Sequence, residues 1–245
     1  MSLLLPPKSL LRLAGSAIAD YQMIRPGDRV LLGLSGGKDS LSLLHILLHL
    51  QRHAPIHFEV GAITVDPQSS SFDPSPLKTL IPPLGISYFY ESQPIMARAQ
   101  IHMSGDSYCS FCARMRRGIL YAQAQRHGYN VLALAQHLDD LAESFLMSAF
   151  HGGRLKTMKA HYVNDAGNLR IIRPLVYVRE RQTAAFAIAA ALPVIADNCP
   201  ACFTTPTQRQ HFKELLMREE TTNHQLFKSL LAALRPVMGS TVSEE

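Results

Sequence analysis

The sequence predicts an α/β fold in which a parallel five-stranded sheet is flanked by helices, with helical extensions at both chain ends. Short apolar runs of strand length alternate along the chain with longer segments of helical periodicity, and this alternation is typical of parallel sheets. A glycine-rich segment joins the first strand to the next helix, and polar segments follow the second and fourth strands. Ligands of such sheets bind beyond the carboxyl ends of the strands, so we expect these three segments to meet there.

The individual elements follow from apolar periodicity and from the glycine and proline residues that end them. The predicted strands cover residues 29–34, 58–65, 86–91, 129–135 and 169–172. The predicted helices cover residues 8–24, 41–51, 78–84, 112–127, 139–150, 179–191 and 208–234, with a break near Asn223. We therefore expect a helical extension at 1–26, a central α/β domain at 27–200 and a helical segment at 201–245. The central domain also carries the group of cysteines that is described below.

Composition and the start of the chain limit the class of protein. Of the 245 residues, 47% are hydrophobic and 18% are charged, which is typical of a globular chain with a substantial core. No apolar run reaches the length of a membrane span, and the leucines at 3–5 are followed at once by two prolines and Lys8. This start lacks the form of a signal peptide, so we expect a cytoplasmic protein with no membrane contact.

Positive charge is concentrated in the middle of the chain. The formal net charge is +5, and the segment from Cys109 to Arg181 alone contributes +6, since it holds 11 Lys and Arg against 5 Asp and Glu. Arg114, Arg116 and Arg117 follow the first cysteine pair on a predicted helix, and a second group follows a Gly-Gly turn. Such a segment indicates a polyanionic partner. That second group consists of Arg154, Lys156 and Lys159.

The segment LSGGKDSLSLL at 34–44 has the features of a phosphate loop, but not of the common one. The usual P-loop has four residues between its glycines and a hydroxyl after the lysine, whereas here three residues separate Gly33 from Gly37 and Asp39 follows Lys38. The amides of 35–37 can approach an anion closely, and the following helix adds its positive end. A carboxylate beside phosphates indicates a bridging Mg²⁺, so Asp39 is a candidate ligand.

Two C-x-x-C pairs, Cys109 with Cys112 and Cys199 with Cys202, indicate metal or redox chemistry rather than a disulfide framework. The first pair lies at the predicted start of a helix, where the helix dipole favours thiolates. Zinc and an iron–sulfur cluster fit the spacing equally well, and a redox dithiol is a third reading.

The segment QHLDD at 136–140 adds a second acidic group at a helix start. Asp139 and Asp140 can cap this helix and can also hold a metal ion.

Several motifs together resemble one enzyme family. The loop S-G-G-x-D-S is similar to the pyrophosphate-binding loop of the PP-loop ATP pyrophosphatases, which cleave ATP to AMP and pyrophosphate while activating a carbonyl group. The run YCSFCARMRRGILY at 108–121 resembles the C-S-x-C-x-R-x-R-R-G-x-L-Y signature of the tRNA 2-thiocytidine synthetases within that group. Further similar segments are AIAD at 17–20, FHGGRLKTM at 150–158, IRPL at 172–175, RE at 179–180 and QR at 208–209.

One motif departs from the family pattern G-H-x-x-D-D, because Ala135 replaces its glycine and Gln136 replaces its histidine. Glutamine can still donate or accept a hydrogen bond but cannot carry a charge, so we expect no catalytic imidazole at this position.

The resemblance implies a Rossmann-like sheet of the PP-loop (HUP) type and an ATP-dependent enzyme that forms 2-thiocytidine at cytidine 32 of tRNA. ATP would adenylate the base carbonyl, and sulfur carried on a [4Fe-4S] cluster would displace AMP. The implied cofactors are the cluster, Mg²⁺ and ATP, and the implied partners are tRNA and a cysteine desulfurase or another sulfide donor. A homodimer is a further candidate assembly.

The resemblance also implies the site residues. Lys38, Asp39 and Asp140 are catalytic, and the two carboxylates bind Mg²⁺; Cys109, Cys112 and Cys199 hold the cluster, with Cys202 as a spare thiol. The tRNA contacts are the two basic groups given above. The ATP contacts are Ser35, Gly36, Gly37, Lys38, Asp39, Ser40, Val65, Gln136 and His137.

Two alternatives remain open at this point. One is a PP-loop enzyme that thiolates another tRNA position or a small molecule and holds zinc at its cysteines. The other is a nucleotide-binding protein that uses the cysteines as a metal or redox sensor.

Overall fold

A mixed six-stranded sheet forms the centre of the protein in the computed structural model, which describes residues 4–69, 72–102, 108–195 and 207–239. The strand order is β3-β2-β1-β4-β6-β5, with every neighbouring pair parallel except β5 and β6. The strands are β1 (Arg29–Gly33), β2 (Glu59–Asp66), β3 (Ser87–Ser92), β4 (Val131–Ala133), β5 (His161–Val163) and β6 (Arg170–Ile172).

The predicted class, a parallel α/β sheet flanked by helices, is confirmed, but the strand count of five is wrong by one. The additional strand β5 has three residues and pairs antiparallel with β6 through a turn in which the Asn164 side chain accepts the amides of Asn168 and Leu169. None of the three residues of β5 is fully buried, so the strand does not appear as an apolar run in the sequence.

The helices of the described residues flank this sheet, and a single 3₁₀ turn at Pro82–Leu84 follows the third helix. They are α1 (Lys8–Asp20), α2 (Lys38–His53), α3 (Ser75–Leu80), α4 (Ile95–His102), α5 (Tyr108–Arg126), α6 (Leu138–Gly152), α7 (Glu180–Ala189), α8 (Gln208–Thr222) and α9 (Leu226–Met238).

Several helix boundaries differ from the predictions by a few residues. Helix α2 begins at Lys38, three residues before the predicted start, and α5 begins at Tyr108 rather than Cys112. Helix α4 was not predicted, whereas the break near Asn223 is confirmed because that residue separates α8 from α9.

Apolar side chains of the central strands and of α2 form the main core. Strand β1 is buried on both faces, as expected for a central parallel strand. Leu10, Ala14 and Ala17 of α1 are fully buried in the same core, so the amino-terminal extension packs onto the domain. Phe212 and Leu216 of α8 are buried as well, and α8 lies against α6. None of the helices in the described part of the chain is long and apolar enough to cross a membrane.

Candidate active site

The loop between β1 and α2 has a conformation that only glycine accommodates at its centre. Gly36 has a φ of +86°, and a Cβ atom there would lie 2.6 Å from Cδ1 of Ile195. The carbonyl of Gly36 accepts the amide of Ile195 at 2.9 Å. The chain leading towards Cys199 is therefore attached to this loop.

Two serines fix the shape of the loop. The Ser35 hydroxyl lies 3.1 Å from that of Ser40 and accepts the Gly37 amide at 3.3 Å, while the Ser40 hydroxyl donates to the Gly37 carbonyl at 2.9 Å. Helix α2 begins directly after Gly37, so its positive end lies at the loop. This arrangement suits a bound anion.

Lys38 is held by two carboxylates. Its Nζ atom lies 3.0 Å from Oδ2 of Asp39 and 2.9 Å from Oε1 of Glu180. Burial alone would lower the pKa of Lys38, but the nearby charge of Asp39 and the hydrogen bonds to both carboxylates outweigh it, and the pKa is raised. The ammonium group is therefore charged at neutral pH.

Glu180, the first residue of α7, is shared between two lysines. Its carboxylate accepts a hydrogen bond from Lys38. It also contacts Lys213 of α8, whose Nζ atom lies 2.9 Å from Oε1 and 2.8 Å from Oε2. Burial would raise the pKa of Glu180, but the hydrogen bonds from Lys213 and Lys38 lower it to about 2. These residues line a cavity of about 300 Å³ between α6, α7 and α8.

Asp39 and Asp140 each lie near one nitrogen of the His137 imidazole ring. Oδ2 of Asp39 is 3.8 Å from Nε2, and Oδ2 of Asp140 is 3.4 Å from Nδ1. Thr183 of α7 also donates a hydrogen bond to Asp39. Within the described residues, no group of three or more His, Cys, Asp or Glu side chains is arranged to hold a metal ion.

His137 and Asp140 close the start of α6 as a reciprocal cap. The His137 Nδ1 atom accepts the Asp140 amide at 3.3 Å, and the Asp140 carboxylate accepts the His137 amide at 3.0 Å. Asp139 is used differently, because it accepts Nε of Arg179 at 3.1 Å and the amide of Glu180 at 2.7 Å. Asp139 thus connects α6 to α7.

Glu143 is a buried carboxylate one turn further along α6. Only 4% of the residue is exposed, and its Oε2 atom lies 3.2 Å from Nε of Arg209 on α8. Burial raises the pKa of Glu143 to about 7, and the charge of Asp140 adds to this effect.

Glu143→Gln is therefore expected to stabilise the protein at alkaline pH. The folded state binds this proton more tightly than the unfolded chain, so the wild-type free energy of unfolding falls as pH rises from about 4.5 to about 7. The variant avoids this loss and should be more stable by about 2 kcal/mol at pH 8, with no difference near pH 4. Urea unfolding of both proteins in EDTA at the two pH values measures this. A difference in the free energy of unfolding between variant and wild type that is the same at both pH values would contradict the raised pKa of Glu143.

Gln136, at the departure from the family motif, is held by Arg173. The Arg173 Nε atom donates to Gln136 Oε1 at 2.9 Å, and its Nη1 donates to the carbonyl of Lys159 at 2.6 Å. Burial lowers the pKa of Arg173, and the charge of Arg117 lowers it further. A neutral amide at position 136 fits beside this buried cation, whereas an imidazolium would add a like charge.

Val65 is the penultimate residue of β2 and is half-buried at the carboxyl edge of the sheet. The next residue, Asp66, accepts the Tyr90 hydroxyl and the Gln68 amide. Asp66 is thus held by local contacts.

Helix α5 carries the first cysteine pair beyond the carboxyl edge of the sheet. The end of α5 lies at the start of β1, where Arg29 donates to the carbonyls of His127 and Gly128. Leu120 packs against the last residue of β1, since a Cβ atom at Gly33 would lie 3.5 Å from its Cδ1. The turns of α5 before Leu120 therefore extend past the edge, by about 12 Å at Cys112.

Cys112 is half-buried in the second turn of α5, and Cys109 belongs to the first turn. Cys199 and Cys202 lie outside the described residues. Among the described residues, the buried Nε of Arg116 has no hydrogen-bond partner. Two cysteines at the start of one helix, with an arginine four residues after the second, form a residue set that fits an anionic thiolate-bound metal cluster.

The two predicted basic groups are largely exposed. Arg114 and Arg117 are exposed on α5. Residues 154–159 fold back along α6: the Arg154 amide donates to Ser148, and the Thr157 hydroxyl donates to the carbonyl of Leu141 in the first turns of α6. The side chains of Arg154, Lys156 and Lys159 on this strip are exposed.

Sequence reasoning missed the residues that link α7 and α8 to the loop. Arg179 donates to Asp139 and forms two hydrogen bonds with Glu220, and Lys213 and Arg209 reach carboxylates at the cavity. The family-like segments RE at 179–180 and QR at 208–209 were the available signal. Nothing in the sequence gives the pairing of Lys213 with Glu180, because 33 residues separate them.

Comparison with known proteins shows what this chain is similar to. A model of the PP-loop domain matches residues 12–218. The chain is 41% identical over 93% of its length to the tRNA-cytidine(32) 2-sulfurtransferase of Geobacter sulfurreducens, covering 89% of that protein. It is 40% identical over 95% of its length to the enzyme of the same name from Dichelobacter nodosus, covering 87% of it.

A solved structure shares the fold. The U34-tRNA thiolase NcsA from Methanococcus maripaludis, determined with its [4Fe-4S] cluster, matches with a TM-score of 0.76 at 20% identity. The match covers 94% of this chain and 78% of that chain.

Proposed function

This chain belongs to the PP-loop family and, within it, to the tRNA-cytidine(32) 2-sulfurtransferases, and on that basis we propose that it uses ATP to thiolate tRNA. The product would be 2-thiocytidine at position 32. The observation that carries the proposal is the convergence of three segments at one edge of the sheet. They are the glycine loop before α2, the His137–Asp140 start of α6 and the start of the cysteine helix α5.

The loop suits the pyrophosphate half of ATP. Backbone amides of 35–37, the hydroxyls of Ser35 and Ser40 and the charge of Lys38 would bind the phosphates, and Lys38 would stabilise the charge that develops on the leaving pyrophosphate. Val65, Gln136 and His137 would contact the rest of the nucleotide. The carboxylates of Asp39 and Asp140 would hold Mg²⁺, which needs few protein ligands because substrate phosphates and water complete its shell.

The chemistry divides into two displacements. In the first, O2 of the cytosine attacks the α-phosphorus of ATP, forming an O–P bond as the α–β bridge breaks and pyrophosphate leaves. In the second, a sulfur nucleophile attacks C2 and forms a C–S bond while the C–O bond breaks and AMP leaves. The residues at the loop act on the first step by orienting the triphosphate.

Cys109, Cys112 and Cys199 would hold a [4Fe-4S] cluster, which when bound supplies sulfur for the second displacement. Three protein thiolates would leave one iron of the cluster without a protein ligand. That iron would correspond to the open coordination position of catalytic zinc sites. Cys202 would then be a spare thiol. A cysteine desulfurase or another sulfide donor as partner, a cytoplasmic location and a homodimer complete the proposal.

The basic residues on α5 and on the strip at 154–159 would bind the tRNA backbone. An unstacked base of the tRNA loop would then lie at the carboxyl edge of the sheet, on the side where the cavity opens. Both groups are largely exposed near the carboxyl edge, which supports this assignment. Arg114, Arg116 and Arg117 would contact tRNA together with Arg154, Lys156 and Lys159.

Replacing Lys156 and Lys159 together by alanine is expected to weaken tRNA binding and to reduce the slope of log affinity against log salt by about 1.5. Filter binding of unmodified tRNA between low and moderate salt measures the slope. The matched control replaces Lys8 and Lys228, two exposed lysines on α1 and α9, and should keep the wild-type slope. A wild-type slope in the Lys156 and Lys159 variant would remove the strip from the docking surface.

The function is tested in cells by deleting the gene and measuring tRNA nucleosides by mass spectrometry. Loss of 2-thiocytidine with other thionucleosides retained is the expected result, and it should be restored by the wild-type gene. Loss of a thiouridine instead would assign the enzyme to another tRNA position.

A further inference from the structure

The cavity beside the loop contains a chain of alternating charges that extends from the carboxyl-terminal helices to Lys38. Lys213 of α8 contacts both oxygens of Glu180, and Glu180 contacts Lys38. The side chains of Lys38 and Glu180 are only 30% and 24% exposed, so their charges are poorly screened by water. A change in the contact between Lys213 and Glu180 therefore acts on the contact between Glu180 and Lys38.

Lys38 cannot serve a phosphate fully while it holds both of its present partners. Two of its three N–H donors already serve Asp39 and Glu180, at 3.0 and 2.9 Å, which leaves a single donor for a phosphate. An incoming triphosphate brings several negative charges to the same ammonium group, so Lys38 must loosen its contact with Glu180. The carboxylate left behind would be a partly buried charge without a partner, which is unfavourable.

Lys213 supplies the partner that Glu180 then needs. Its contact with Oε2 of Glu180 at 2.8 Å does not involve Lys38. Glu180 also stands in the first turn of α7, and its own amide is bonded to Asp139, so its backbone is fixed close to Lys213. The residue that can compensate its charge within the described structure is therefore on α8.

We propose that Lys213 is a positioning residue for the nucleotide: by holding Glu180, it releases Lys38 to bind phosphate. This inference rests on the proposed function, because it takes ATP as the ligand of Lys38. Lys213 itself does not touch the phosphates in this account. The C-terminal helix α8 thereby becomes part of the ATP site.

The inference predicts a particular pattern in a double-mutant cycle. Lys213→Met leaves Glu180 with Lys38 alone, so Lys38 is held more firmly and affinity for nucleotide should fall about five- to tenfold. Glu180→Gln removes the competing charge, so affinity should equal or exceed that of the wild type. In the Lys213→Met/Glu180→Gln variant the defect should disappear, to within about twofold of Glu180→Gln alone.

The experiment is titration calorimetry of the anaerobically reconstituted full chain with a non-hydrolysable ATP analogue and Mg²⁺. Lys228→Met, an exposed lysine on α9, is the matched control and should bind like the wild type. Thermal unfolding shows that each variant is folded. If Lys213→Met does not fold, Glu180→Gln and Lys213→Arg still test whether Lys213 acts by holding Glu180. Both variants should bind the analogue as tightly as the wild type or more tightly.

Three results would overturn the inference. Wild-type affinity in Lys213→Met would show that Lys213 has no role. A double variant as weak as Lys213→Met would show that Lys213 acts directly on the nucleotide or on structure. A loss of more than tenfold in folded Glu180→Gln would make Glu180 a nucleotide-binding group. Failure of the wild type to bind the analogue at all would instead contradict the proposed function.

Discussion

Asp39→Asn is expected to reduce AMP formation about a hundredfold or more while leaving the fold intact. Asparagine keeps the size of the side chain and can still accept the hydrogen bond from Thr183. It loses the charge that pairs with Lys38 and that would hold Mg²⁺ beside the phosphates. The effect should fall on turnover, because the metal stabilises charge that develops as pyrophosphate leaves.

The measurement follows labelled AMP in the presence of unmodified tRNA and Mg²⁺. Asp73→Asn is the matched control, since Asp73 is a carboxylate that accepts the Ser75 amide just before α3, remote in sequence from the loop. It should behave as the wild type. An unchanged rate in Asp39→Asn, with equal thermal stability, would remove Asp39 from the reacting centre.

Replacing any one of Cys109, Cys112 and Cys199 by alanine is expected to remove the iron–sulfur cluster and to reduce tRNA thiolation below detection. Each would contribute one of three thiolates, and the remaining two are too few to retain the cluster. Helix α5 projects its first turns past the sheet edge, which brings the first pair to the side of the molecule where ATP would bind.

Cys202→Ala is the matched control for this series and should keep its iron. Anaerobic reconstitution followed by iron and sulfide analysis and a thiolation assay distinguishes the four variants. Iron lost from Cys202→Ala but retained in Cys199→Ala would exchange the roles of these two residues. Zinc without iron in every anaerobic preparation would favour the zinc alternative.

The parts of this fold that could be predicted are those with a strong local pattern. The loop at 35–40 is recognisable because close backbone approach to an anion requires glycine, and Gly36 indeed has a positive φ and lies against Ile195. The break at Asn223 was predicted, and so was the order of the long strands and helices. Strand β5 was missed because it lies at the edge of the sheet, where it pairs with β6 alone and none of its three residues is fully buried.

The candidate site was predictable in its loop but not in its connections. Lys38 and Asp39 are adjacent, so their joint role follows from the sequence alone. Glu180 and Lys213 meet them only because α7 and α8 pack at the same cavity, and no local pattern records that contact. The approach of Asp39 to the His137 ring is likewise a result of tertiary packing.

Thiolation of cytidine 32 is tested by incubating the reconstituted protein with ATP, Mg²⁺, sulfide and a tRNA transcript, followed by nucleoside mass spectrometry. The predicted result is 2-thiocytidine that maps to position 32, formed together with AMP and absent when ATP is omitted. A transcript with uridine at position 32 should give no 2-thiocytidine. A protein that carries its cluster and releases AMP, yet leaves cytidine 32 unmodified while another nucleotide is thiolated, would contradict the assignment of position 32.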